Sequence, residues 1–116
     1  MKENPILEKS YELALAVIPL CRELQAKEHE YVLSRQLMKS GTSVGSNVEE
    51  AQGGQSRADF LSKMSIAAKE ARETHYWLRL IRDSKLLSGK SVAPVLDRTL
   101  EVRRILTAIV KSTSES

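Results

Sequence analysis

Residues 60–81 read FLSKMSIAAKEARETHYWLRLI. Phe60, Met64, Ala67, Ala71, Thr74, Leu78 and Ile81 are spaced 4-3-4-3-4-3, the heptad seam of a helix packed in a bundle. A second stripe on the same segment, Ile66, Glu70, Glu73, Trp77 and Leu80, runs 4-3-4-3. A simple bundle helix is solvated at that register, and a solvated edge rarely holds Ile, Trp and Leu together. A helix with two such stripes packs on both sides, against its own domain and against a second subunit. Ile66, Trp77 and Leu80 are therefore expected at an oligomer interface.

Three more helices are readable on either side. Asn4 suits an N-cap with Pro5 at the first helical position, and the first helix should run to about Lys27. Its apolar positions are Ile6, Leu7, Tyr11, Leu13, Ala14, Val17, Ile18, Leu20, Cys21 and Leu24. Pro19 falls inside it, removes the bond to the Leu15 carbonyl and should kink it. The second helix is expected over about 30–52, with the core stripe Ser34, Leu37, Gly41, Val44, Val48 and Ala51. A turn at Ser40–Ser43 is the rival reading. If the helix holds, Gly41 and Gly45 offer a small-residue face where another backbone comes close.

Gly53-Gly54 is the clearest break. Ser56 then caps the third helix, about 57–84, with Asp59 in place of the usual Glu of a capping box. Lys85 to Lys90 reads as a loop pivoting on Gly89. Ser91 is taken as the cap of a fourth helix, about 92–111, with the seam Val95, Thr99, Val102, Leu106 and Ile109. The polar tail from Ser112 to Ser116 should fray. Short loops between long helices imply an all-α, antiparallel up-and-down four-helix bundle filling one domain, residues 1–116.

Composition agrees. Apolar residues are 41% of the 116-residue chain and aromatics 4%, with five Gly and three Pro, which favours an aliphatic, Ala-rich helical core. The one cysteine, Cys21, cannot form an internal disulfide and reads as a small core residue. The longest apolar run, Leu13 to Cys21, is too short to cross a bilayer. Glu3, Glu8 and Glu12 precede it, the wrong sign for a signal peptide, so a cytoplasmic protein without a membrane partner is expected. Residues 1–56 carry six basic and eight acidic side chains, net −2, and residues 57–116 carry twelve and seven, net +5, which together make the formal +3. That asymmetry permits contact with a polyanion without demanding it.

The chemistry is sparse. On the second helix Gln36, Ser40, Ser43, Asn47 and Glu50 form a polar stripe spaced 4-3-4-3. It could meet the acids of the third helix in a cluster of Ser43, Asn47, Glu50, Glu70 and Glu73, since buried carboxylates require partners. A hydrated edge is the alternative. The two histidines, His29 and His75, do not match the Glu-x-x-His spacing of a di-iron bundle. No phosphate loop or nucleophile elbow is present. No metal, no cofactor and no catalytic residue are expected.

Several of these residues form a pattern. Gln36-Leu37, Ser40, Ser43-Val44, Ser46-Asn47 and Glu50 are followed by Asp59-Phe60, Lys63, Ile66-Ala67, Lys69-Glu70-Ala71, Glu73-Thr74 and Tyr76-Trp77-Leu78. The run resembles the bacterial four-helix-bundle family also called the 23S ribosomal RNA intervening-sequence proteins. The likeness spans essentially the whole chain and is strongest over residues 33–82. Ala51 departs from it, where many members have Gly. The resemblance implies an up-and-down bundle assembling as a ring, commonly a pentamer. A related branch, the accessory proteins of diversity-generating retroelements, implies basic pentameric barrels that bind nucleic acid and a reverse transcriptase. For most members it implies no established activity.

Two functions follow as expectations. One is a homo-oligomeric module whose basic surface binds RNA, DNA or a nucleic-acid enzyme. Its candidate contacts are Arg35, Lys39, Arg72, Arg79, Arg82, Arg98, Arg103 and Arg104. The other is a structural adaptor that binds protein and ignores nucleic acid. Tyr31, Tyr76 and Trp77 are assigned to packing.

Overall fold

In a computed structural model, which describes residues 4–115, the chain forms four helices. Glu3 and Ser116 lie outside the described residues. The helices are α1 (Pro5–Glu28), α2 (Val32–Gln52), α3 (Arg57–Asp83) and α4 (Gly89–Glu115), and no strand occurs among the described residues. Each helix packs on two neighbours, in the cyclic order α1, α2, α3, α4 and back to α1. That packing is consistent with a bundle, as are the short connections and the elongated 46 × 26 × 20 Å body. No helix among the described residues is long and apolar enough to cross a membrane.

The core is aliphatic because the seams are. Leu13, Val17 and Leu24 from α1 meet Leu37, Val44 and Val48 from α2, all fully buried. Met64, Ala67, Ala71, Leu78 and Ile81 from α3 and Val92, Val102 and Leu106 from α4 complete it. Cys21 is buried among them, and burial pushes its thiol up to about 11. Such a thiol is protonated and unreactive.

Helix α2 is continuous through Ser40–Ser43, so the rival turn does not form. Its glycines sit against α1. A Cβ on Gly41 would come within 2.8 Å of a Val17 methyl, and one on Gly45 within 3.2 Å of the Ser10 carbonyl oxygen. The lower intrinsic helix propensity of glycine is offset by this close approach.

The helix ends depart from expectation at definite places. Asn4 is the N-cap of α1 with Pro5 after it, as expected, its carbonyl accepting from Glu8 N–H at 3.3 Å; its side chain makes no capping bond, and its Nδ2 donates instead to Gln52 Oε1 at 3.1 Å. Pro19 does not end α1, which runs unbroken to Glu28. Leu15, whose carbonyl loses its partner, and Pro19 both lie on the solvent side. Tyr11, counted among the apolar positions, is 62% exposed.

His29, left-handed with φ 51°, ends α1, and α2 starts at Val32. The Glu30 carboxylate then accepts from the N–H groups of Leu33 and Ser34 at 2.6 and 3.2 Å, capping the first turn. Ser56 caps α3 as expected, accepting from Asp59 N–H at 3.0 Å, while Asp59 Oδ2 accepts from Gln55 N–H.

The turn before α4 pivots on Lys85, not Gly89. Lys85 has φ 62°, its N–H donates to Arg82 O, and Leu86 N–H donates to Ile81 O. That bond pair is a Schellman motif, with lysine in the left-handed slot that glycine usually takes. Gly89 is already helical. Ser88, rather than Ser91, is the cap: its Oγ accepts from Ser91 N–H at 3.1 Å and its carbonyl from Val92 N–H at 3.1 Å. At the far end α4 continues to Glu115, past the expected stop at 111. The hydroxyls of Thr113 and Ser114 donate to Ile109 O and Lys111 O, and Arg57 donates to Thr113 O across the helices.

Candidate interaction surfaces on helix α3

Helix α3 presents its core seam inward and two different edges on either side of it. One edge borders α2. Thr74 Oγ1 lies 3.0 Å from Ser40 Oγ within the interior and 2.7 Å from Glu70 O of its own helix, its one proton shared between the two acceptors, and the Lys39 ammonium lies close enough to influence Glu70. This is the edge of Ile66, Glu70, Glu73, Trp77 and Leu80. Within one chain it is incompletely covered: Ile66 is 41% exposed and Leu80 37%, and Trp77 is half-buried against the core.

Two polar atoms on that edge are closed off from water without a hydrogen-bond partner, Glu70 Oε2 and Trp77 Nε1. Burial pushes the Glu70 carboxyl above its usual range, and the Glu73 carboxylate adds to the shift; Lys69 and Lys39 oppose it. Unpaired buried polar atoms are rare and costly. Here an acceptor and a donor stand seven residues apart on one stripe, where residues lie above one another.

The polar cluster anticipated from the sequence does not form within the chain. Asn47 Nδ2 donates to Ser43 O of its own helix at 2.8 Å, and Ser43 Oγ donates to Lys39 O at 2.5 Å. Glu50 is exposed. No hydrogen bond or ion pair among the described residues joins Asn47 or Glu50 to Glu70 or Glu73. The link between the two polar stripes is Ser40 to Thr74, a residue of the core seam. A short hydroxyl pair fits a tightly packed helix crossing where a carboxylate would require desolvation.

The other edge of α3 borders α4 and is basic. Arg72, His75, Arg79 and Arg82 follow one another at spacing 3-4-3. Burial lowers the His75 imidazole, and the guanidinium groups of Arg79, Arg103 and Arg82 lower it further. Arg103 comes from α4, so residues from two helices converge there. Arg82 is the most compensated member, its Nε and a terminal nitrogen donating to the Asp83 carboxylate at 2.7 and 3.2 Å. Arg79 lies over the Tyr76 ring, 5.8 Å from its centroid.

The remaining basic candidates scatter. Arg98 pairs with Glu12 of α1 at 3.9 Å. Lys39 sits on the α2 side near Glu70. Arg35 and Arg104 are exposed on α2 and α4. The structure thus gathers Arg79, Arg82 and Arg103 and separates them from Arg35, Lys39, Arg98 and Arg104. Sequence reasoning missed His75 as their common neighbour, although its place between Arg72 and Arg79 was a usable signal. It also assigned Tyr31 and Tyr76 to packing; they are 49% and 47% exposed.

Two further concavities are mostly apolar. A groove of about 260 Å³ between α1 and α2 is lined by Leu7, Tyr11, Ala14 and Gly45 among others. A cleft of about 400 Å³ at one end of the molecule includes Ile6, Phe60, Met64 and Ile109. Among the described residues no three His, Cys, Asp or Glu side chains come together as a metal-holding group.

The family model described as 23S rRNA-intervening sequence protein matches residues 2–108. A crystal structure of a protein of unknown function from the S23 ribosomal protein family of Bacteroides thetaiotaomicron superposes with a TM-score of 0.88. It is 38% identical, over 91% of this chain and 98% of that one. No curated protein matches the chain.

Proposed function

The chain belongs to the 23S rRNA-intervening sequence protein family, and on that premise we propose that it is a non-enzymatic, homo-oligomeric binding protein. In this reading it assembles through the α2-side edge of α3 and offers the α4-side edge to RNA or DNA. The observation that carries it is the division of one helix. The first edge combines exposed Ile66 and Leu80 with half-buried Trp77, an apolar surface that a protein partner completes. The second gathers Arg79, Arg82 and Arg103 around His75, a surface that a polyanion completes. Assembly on the first leaves the second open.

A closed ring of pentamer type, working in the cytoplasm, extends this reading. Five copies carry a formal +15, five times +3, so contacts that are weak per subunit add through avidity. Nothing in the basic edge resembles a base-reading element, so phosphates supply most of the affinity and binding is sequence-tolerant. A reverse transcriptase or another nucleic-acid enzyme fits as a further partner of the same surface. The α1–α2 groove, lined by Leu7, Tyr11, Ala14 and Gly45 together with Ser10, Thr42, Ser46 and Glu49, favours a second reading in which the assembly is a protein adaptor.

Filter binding of RNA and DNA to the intact protein at rising salt separates the two. The nucleic-acid reading expects retention at low salt that falls steeply as salt rises. No retention at low salt overturns it and leaves the adaptor.

A further inference from the structure

We infer that Tyr76 is a base-stacking platform, and that the nucleic acid taken by the basic edge of α3 is single-stranded. The inference rests on the nucleic-acid reading above and names the class of ligand within it.

Arg72, Tyr76 and Arg79 are spaced 4-3 on α3 and are all exposed, so they form one continuous outward strip. Tyr76 is 47% exposed, close to Tyr31 at 49% and below Tyr11 at 62%. It is nonetheless held. Arg79 lies over the ring at 5.8 Å, and the ring meets Trp77 edge-on, with centroids 5.2 Å apart and planes at 70°. Arg79 covers one face of the ring, so a splayed-out base stacks on the other face while the arginines hold the adjoining phosphates. Among the described residues Arg72 makes no ion pair. Duplex nucleic acid keeps its base faces stacked inside, and against it Tyr76 would be idle. Stacking on one aromatic is also tolerant of base identity.

Trp77 is the only tryptophan and touches Tyr76, so its emission reports on the platform. The test uses the intact oligomer with an oligouridylate and with an RNA duplex of the same length. Binding is read by Trp77 emission and by filter retention, and size by light scattering, for the wild type, Tyr76→Phe and Tyr76→Ala. The expected result is tighter binding of the single strand, with quenching of Trp77. Tyr76→Ala should lose about tenfold in single-strand affinity, within the range of one lost base stack, with size and salt slope unchanged. Tyr76→Phe should bind as the wild type, and Arg79→Ala should reduce the salt slope by about one.

Equal or tighter duplex binding, or a Tyr76→Ala variant with unchanged single-strand affinity, would overturn the inference alone. A Tyr76→Ala variant with altered size would overturn it by assigning the ring to the subunit interface. Failure to retain either nucleic acid would remove the nucleic-acid reading and this inference together.

Discussion

The two edges of α3 share one backbone and one core seam, yet each leaves something different unfinished. Beside α2 the edge lacks hydrogen bonds and apolar cover; beside α4 it lacks countercharge. Water and salt satisfy an exposed arginine at little cost. They cannot reach Glu70 Oε2 or Trp77 Nε1, which the surrounding side chains already close off. The first edge therefore constrains the molecule more tightly: its deficit is structural, whereas the deficit of the second is functional.

The largest expected effect comes from breaking the first edge. Trp77→Ala should cost about 2–4 kcal/mol per interface, as a central aromatic anchor does, and shift the protein toward monomer in sedimentation velocity. It should leave the helical circular dichroism signal in place, since Trp77 is only half-buried within one chain. Removing charge from the second edge should do the reverse. Arg79→Ala with Arg103→Ala should leave assembly intact and weaken nucleic-acid retention, flattening the salt dependence by about two contacts.

Between the edges lies the Ser40–Thr74 bond. Thr74→Val removes its donor, leaves Ser40 Oγ facing an apolar side chain and should cost about 1 kcal/mol of thermal stability. Neither assembly nor binding should change.

The smallest effects are in pH dependence, and they have opposite signs. The Glu70 carboxyl is raised in the folded chain, chiefly by burial. The folded state then holds its proton longer than the unfolded one, so stability falls as pH rises through the carboxylate range. Glu70→Gln should flatten that fall in a monomeric variant. The His75 imidazole is lowered, by burial and then by Arg79, Arg103 and Arg82. The unfolded state therefore takes up a proton first. Stability is full above the ordinary imidazole value near 6.5 and declines below it. His75→Gln should remove that acid decline, as measured by thermal melts across the range.

Much of the frame was legible because helical periodicity depends only on local order. The α2 stripe Ser34, Leu37, Gly41, Val44, Val48 and Ala51 is buried at every position, and the α3 seam is buried from Met64 to Ile81. Helix ends were harder. Lysine rarely takes a left-handed conformation, so Gly89 looked the better pivot than Lys85, and the Schellman bonds that reward Lys85 depend on geometry absent from a residue list. Glu30 caps α2 from outside it by reaching forward to the Leu33 and Ser34 N–H groups, a contact that residue order alone does not show.

Of the candidate surfaces, the two stripes of α3 were readable from spacing, but the proposed union of Asn47 and Glu50 with Glu70 and Glu73 is not made within one chain. Spacing says which residues share a face; it does not say at what height two helices meet. Asn47 found its acceptor one turn back in its own helix, a local bond that competes with any longer reach. Tyr76 shows the same limit. Aromatic character argued for packing, and only the crossing of α3 with its neighbours leaves the ring outside.

The central claim is that the α2-side edge of α3 is completed by a second copy. Sedimentation equilibrium of the purified wild-type protein at micromolar concentration, alongside Trp77→Ala, tests it most directly. The account predicts a discrete oligomer for the wild type and a shift to monomer for the variant. A wild type that sediments as a monomer across that range would contradict it.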